Sequence, residues 1–210
     1  MKYSFPSRRS VVMSTRGIVA TSQPLAAQAG ISMLQQGGNA IDAAIATAAA
    51  LNVVEPMSTG LGGDAFALVY LSKSKELKAL NACGRAPSGA SLAAMQRLGY
   101  KSMPATGIHS VTVPGTLDGW CTLLETCGTM SLKEVLAPAI RLAEEGFPVT
   151  EVISHWWQVH SEKLRQNASA VRTYLPKGRA PEAGEIFQQP DLANTSKALA
   201  RGGREVFYEG

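Results

Sequence analysis

Hydrophobic and polar positions alternate along this chain in two rhythms, one of three to four residues and one of two. From Pro24 to Gln36 the helical rhythm holds, with Leu25, Gln28, Ala29, Ser32, Met33 and Gln36 in three-and-four spacing and Pro at a permitted first-turn position. Gly37 and Gly38 should stop that helix. Asn39 is a good N-cap for a second helix, Ala40 to Val54, whose alanines make a smooth, packable surface. Glu55-Pro56 ends it, and Met57 to Gly63 is a glycine-rich loop. The two-residue rhythm then appears in Asp64 to Leu71, with Phe66, Leu68 and Tyr70 on one side. A polar turn, Ser72 to Lys75, leads to a second strand, Glu76 to Ala82, so a β-hairpin is predicted. Further strands are predicted at Gly17 to Thr21 and around Val111 and Val113. Helices are predicted from Ser91 to Leu98, at about 115–125, at 132–145 behind a Ser131 cap, and at 150–167. Pro176 to Gln189 reads as a loop. A last helix is expected from Asp191 to about Ala200, ended by Gly202 and Gly203, with a new element starting at Val206 to Tyr208. Residues 1–16 read as an irregular lead-in, and no repeat or linker divides the remainder, so 17–210 is one helix-rich unit. So few strands cannot close a sheet well; either the fold is mostly helical or other strands complete it.

Composition narrows the function classes. With 45% apolar and 17% charged residues among 210, the chain has the make-up of a globular domain. Its net charge of +4 is scattered, without the basic run and interleaved aromatics of a nucleic-acid binder. The longest apolar stretch, Ala40 to Val54, is too short to span a bilayer and is interrupted by Asp42 and Asn52. No signal-peptide apolar region is visible, and the three cysteines, Cys83, Cys121 and Cys127, fit no CxxC pair. Reduced thiols in the cytoplasm are the expectation. His109, His155 and His160 form no metal-ligand pattern, so neither a metal nor a cofactor is expected.

Several motifs match catalytic patterns in the wrong context. Gly60-Leu61-Gly62-Gly63-Asp64-Ala65 fits a dinucleotide fingerprint, but a strand should precede it and a helix follow, and here the order is reversed. Ser72-Lys73-Ser74-Lys75 fits SxxK, but it falls in a turn rather than on a helix. Arg85 is the most informative charge. Between Gly84 and Pro87, in a short loop beyond a strand, its guanidinium could clamp a carboxylate with two parallel hydrogen bonds. On spacing alone, a surface or structural salt bridge is favoured over that clamp.

Five segments carry a resemblance: residues 17–70, Gly84-Arg85-Ala86-Pro87, 111–120, 128–149 and 190–210, with QGGNAIDAA at 36–44 and VPGTLDGW at 113–120 the most specific. Together, and in this order, they resemble the γ-glutamyltransferase (γ-glutamyltranspeptidase) family. The resemblance implies an α+β fold, the αββα sandwich of the N-terminal-nucleophile hydrolases, of which this chain would supply a helix-rich part with few strands. It implies a proenzyme that cleaves itself, after which the N-terminal Thr of a small subunit attacks γ-glutamyl amides such as glutathione and passes the γ-glutamyl group to water or an acceptor amine. The expected partners are thus γ-glutamyl small molecules and a small subunit carrying the Thr nucleophile, with no role for nucleic acid or membrane. No Thr-Thr-His-type cleavage motif occurs, so the chain reads as the N-terminal part of the large subunit, inactive by itself, with no catalytic residue of its own and Arg85 its substrate-binding residue. The family's usual carboxylate-binding arginine stands two residues before Arg85, where this chain has Cys83; the GRAP form resembles a cytoplasmic branch, some of whose relatives are acylases of β-lactam side chains. A truncated, inactive paralogue or subunit-binding module is the non-enzymatic alternative.

Overall fold

The computed structural model describes residues 10–210, so the first nine positions of the expected lead-in lie outside it; residues 10–16 carry no helix or strand. Helices α1 (Pro24–Gln35) and α2 (Ala40–Val54) form an antiparallel pair. Gln23 caps α1, its Oε1 accepting from Leu25 N at 2.6 Å. Asn39 and Asp42 make a reciprocal capping box at the start of α2: Asn39 Oδ1 accepts from Ile41 N at 2.8 Å, and Asn39 N donates to Asp42 Oδ2 at 2.7 Å. The alanine face of α2 is buried at Ala43, Ala46, Ala49 and Ala50, as its smoothness predicts.

Strands β1 (Ala65–Leu71) and β2 (Glu76–Ala82) form the predicted antiparallel hairpin, Ala65 opposite Ala82. After the short α3 (Leu92–Arg97), capped by Ser91, comes α4 (Thr116–Cys127), which packs on both strands and on α2. Helix α5 (Leu132–Glu145), with its own Ser131–Glu134 capping box, lies against α2. Strand β3 (Phe147–Pro148) follows, then α6 (Glu151–Leu164) and α7 (Ala168–Tyr174). Strand β4 (Ile186–Phe187) pairs with β3, and α8 (Pro190–Tyr208) packs on α5. One apolar core runs through α1, α2, α4, α5 and α8 to the aromatic group Phe147, Trp157 and Phe187.

Four sequence expectations are corrected. Gly17 to Thr21 is not a strand: no strand among the described residues pairs with it, and Ile18 is exposed. Val111 and Val113 are not in a strand either; a single 3-10 turn, Ile108–Ser110, precedes them. The helix predicted at 150–167 is two helices, because Asn167 Oδ1 accepts from Ser169 N and Ala170 N and so starts α7 afresh. Helix α8 does not stop at Gly202-Gly203. Gly203, at φ 57° and ψ −137°, kinks it, and helical turns resume through Tyr208. The 176–189 segment is largely loop, as expected, but its form is set by Glu185, whose carboxylate accepts from Arg179, Lys177 and the backbone N–H of Glu182.

Candidate functional site

At the open end of the hairpin the loop before β1 and the loop after β2 lie side by side, because Ala65 and Ala82 are paired. A third segment, 113–116, lies across both. The carbonyl of Gly63 accepts from the N–H groups of Gly115 and Thr116, each at 3.0 Å. Gly84 N donates to Asp64 Oδ1 at 2.7 Å, and Val113 N donates to Arg85 O at 2.9 Å. The 113–116 segment is thus joined to both loops by backbone atoms, while the Asp64 carboxylate ties the two loops to each other.

Two glycines permit that approach. A Cβ on Gly84 would lie 1.8 Å from the carbonyl oxygen of Val113, and one on Gly115 would lie 2.2 Å from that of Ala82. Neither neighbour is a flexible side-chain tip, so the backbone itself would have to move. Gly84→Ala should therefore push the 83–87 loop off Val113 and lower stability by about 1–3 kcal/mol, the usual cost of forced overpacking. A shift of the urea midpoint measures it; an unchanged midpoint would show that the loop yields freely.

Arg85 sits on this pinned loop and is exposed. Among the described residues its side chain makes no ion pair or hydrogen bond, so it is not part of a structural salt bridge within them. Cys83, two residues earlier, is also exposed. Desolvation by the loop, and then the neighbouring Asp64 carboxylate, push its thiol above the ordinary value, which keeps it protonated at neutral pH and poor as a nucleophile.

Beside the loops is a pocket of about 390 Å³, lined by Met57, Gly60, Gly63 and Asp64 from the glycine loop and by Asn52, Thr116 and Trp120 from the helices. Asn52 Nδ2 and Thr116 Oγ1 are buried in its wall without a hydrogen-bond partner among the described residues. Buried polar atoms are nearly always paired, so this wall is chemically suited to a polar occupant. Sequence reasoning did not single out either residue; the one signal was the polarity of Asn52 inside an apolar helix.

The face of the hairpin turned away from α4 is open and apolar. Phe66, Leu68, Tyr70 and Leu77 are 63–77% exposed there, a row that ordinarily faces another layer. The glycine loop is followed by β1 and not by a helix, and Ser72 to Lys75 form the hairpin turn, so neither the dinucleotide nor the SxxK geometry exists. Among the described residues no group of three or more His, Cys, Asp or Glu side chains could hold a metal ion, and no helix is long and apolar enough to cross a membrane.

Comparison with known proteins gives a consistent result. The profile of a family described as gamma-glutamyltranspeptidase matches residues 26–210. The chain is 39% identical over 211 residues to the glutathione hydrolase proenzyme of Bacillus subtilis, covering 99% of this chain and 36% of that protein. Among solved structures it is similar to a cephalosporin acylase from Bacillus halodurans, with a TM-score of 0.93 and 45% identity, over 100% of this chain and 40% of that one. It is also similar to the gamma-glutamyltranspeptidase of Helicobacter pylori, with a TM-score of 0.89 and 31% identity, over 96% of this chain and 58% of that one. This chain thus spans little more than a third of the curated relative it matches.

Proposed function

The chain belongs to the gamma-glutamyltranspeptidase family and has the α+β, N-terminal-nucleophile hydrolase fold of its members; from that premise we propose that it is the N-terminal portion of the large subunit of an enzyme that cleaves γ-glutamyl amides. Glutathione is the representative donor, and water or an amine the acceptor. The attacking hydroxyl is that of an N-terminal Thr on a small subunit, whose free α-amine serves as base. This chain contributes recognition. Arg85, unpaired among the described residues and carried on a loop held by Asp64 and Val113, receives the substrate's carboxylate, and that placement is the observation that carries the reading. The open row Phe66, Leu68, Tyr70 and Leu77 is where a second sheet layer of the sandwich would pack. Residues 17–210 form one incomplete unit of that sandwich. Three unpaired cysteines support a cytoplasmic location.

The 210-residue chain alone is expected to release no nitroaniline from γ-glutamyl-p-nitroanilide, because among the described residues no hydroxyl beside a free amine stands at the site. Turnover by the purified chain would sink this division of labour. A catalytically silent paralogue that only binds a subunit would pass the same assay. It is separated from the enzyme by adding the Thr-bearing subunit and measuring whether turnover appears.

A second reading has its own support. Identity to the cephalosporin acylase structure is 45%, and Cys83 stands where the family's usual arginine would be. An acylase accepting an acyl arm without an α-amino acid end fits both. Side-by-side rates on glutathione and on a glutaryl amide decide between them.

A further inference from the structure

A second pocket, of about 430 Å³, opens between α6, α7 and the segment at Thr106 and Gly107. That volume falls within the range of small-molecule sites. Its body is apolar: Trp157, Leu164 and Tyr174 line it, and Met57 forms a wall it shares with the pocket beside the loops. The indole Nε1 of Trp157 already donates to Tyr174 O at 2.9 Å, so the ring offers the pocket only apolar surface. The rim has one sign of charge. Lys163 supplies it, His160 also lines the rim, and among the described residues no acidic side chain does. The adjacent acid in sequence, Glu162, is engaged by Arg165 at 3.2 Å, and Lys163 makes no ion pair among the described residues. Burial raises the Tyr174 phenol above its usual value, so it stays neutral and adds no opposing charge.

We propose that this pocket binds a small amphipathic carboxylate, its ring or branched apolar body lying against Trp157 and Tyr174 and its carboxylate at the rim beside the Lys163 ammonium. An apolar cavity rewards the body, and a single unpaired cation at the mouth fixes which end faces out. The site is separate from Arg85 and does not depend on the amide-cleavage reading, although the shared Met57 wall places its occupant beside the candidate site.

The test uses the 210-residue chain and two probes of equal shape, naphthalene-2-carboxylate and naphthalene-2-carboxamide, titrated by calorimetry at low salt. The carboxylate is expected to saturate one site, and the carboxamide to bind about two- to fivefold more weakly, since the cation is near the surface. Lys163→Gln should bring the carboxylate down to the level of the carboxamide and leave the latter unchanged. Ala170→Trp, which fills the cavity from α7, should abolish both without altering the far-UV circular dichroism. No saturable binding, equal binding of the two probes, or binding that survives Ala170→Trp would overturn the proposal. The measurement involves no turnover, so failure of the pocket and failure of the enzymatic reading are recorded separately.

Discussion

Under the proposed function, Arg85→Ala is expected to raise the KM of the assembled enzyme for γ-glutamyl donors by about 10- to 100-fold while kcat changes little. The guanidinium is exposed, unpaired among the described residues, and carried on a loop whose backbone is tied to Asp64 and Val113. Little ordering of the loop is then required when a carboxylate arrives. A charge-assisted hydrogen-bonded pair contributes about 1.5–3 kcal/mol, which converts to that range in affinity. The contact is remote from the scissile amide, so it acts equally on ground and transition states and shows in KM rather than in kcat. Arg85→Lys keeps the charge but loses the planar fork, and should recover only part of the loss. Initial rates against glutathione concentration measure the effect. An unchanged KM would assign the carboxylate to another residue.

The largest effect on stability is expected at Asp42. This carboxylate is fully buried and accepts hydrogen bonds from four donors: Asn39 N at 2.7 Å, Thr129 N at 2.9 Å, Thr129 Oγ1 at 2.5 Å and Met130 N at 3.1 Å. It caps α2 and at the same time ties the 129–130 turn ahead of α5 to it. Asp42→Ala would leave several buried donors unpaired, at about 1–3 kcal/mol each before relaxation. A total loss of about 3–5 kcal/mol in the denaturant-extrapolated stability follows, enough to unfold a marginal domain. Burial pushes the Asp42 carboxyl up, but the Thr129 hydroxyl and the three backbone N–H groups outweigh it and hold the carboxyl below the ordinary value. Its stabilising contribution is therefore complete above the unfolded value, about 3.9, and is lost as pH falls through the lower folded value. In Asp42→Asn that acid-limb component should disappear from the stability–pH curve; a curve of unchanged shape would refute the assignment.

Local chemistry was legible in the sequence and long-range pairing was not. Asn39, Ser91 and Ser131 announced the helix starts they cap, because a cap acts within three residues. The hairpin was legible because its two strands and turn are contiguous. The runs at 17–21 and 111–113 have strand composition, but a strand exists only with a partner, and none among the described residues pairs with either. Asn167 is also a cap, but its place at the end of the 150–167 run hides the helix it starts. At the site, Arg85 and its glycine neighbour stood out as residue types. Their anchors did not: Asp64 reaches Gly84 across the whole hairpin, and Asp42 reaches Thr129 and Met130 from 87 and 88 residues away. Periodicity carries no record of such contacts.

The kink at Gly203 turns the tail of α8 back toward α4. Arg204 there binds Asp118, Glu125 and Thr122, and the Tyr208 hydroxyl donates to Pro114 O at 2.8 Å. The segment that cradles Gly63 is therefore braced from a stretch of chain some ninety positions downstream. For anyone recombining this protein with a relative, a junction at Gly203 would exchange the strut while keeping the loop it supports. Only crossovers placed ahead of Val113 would move the two together.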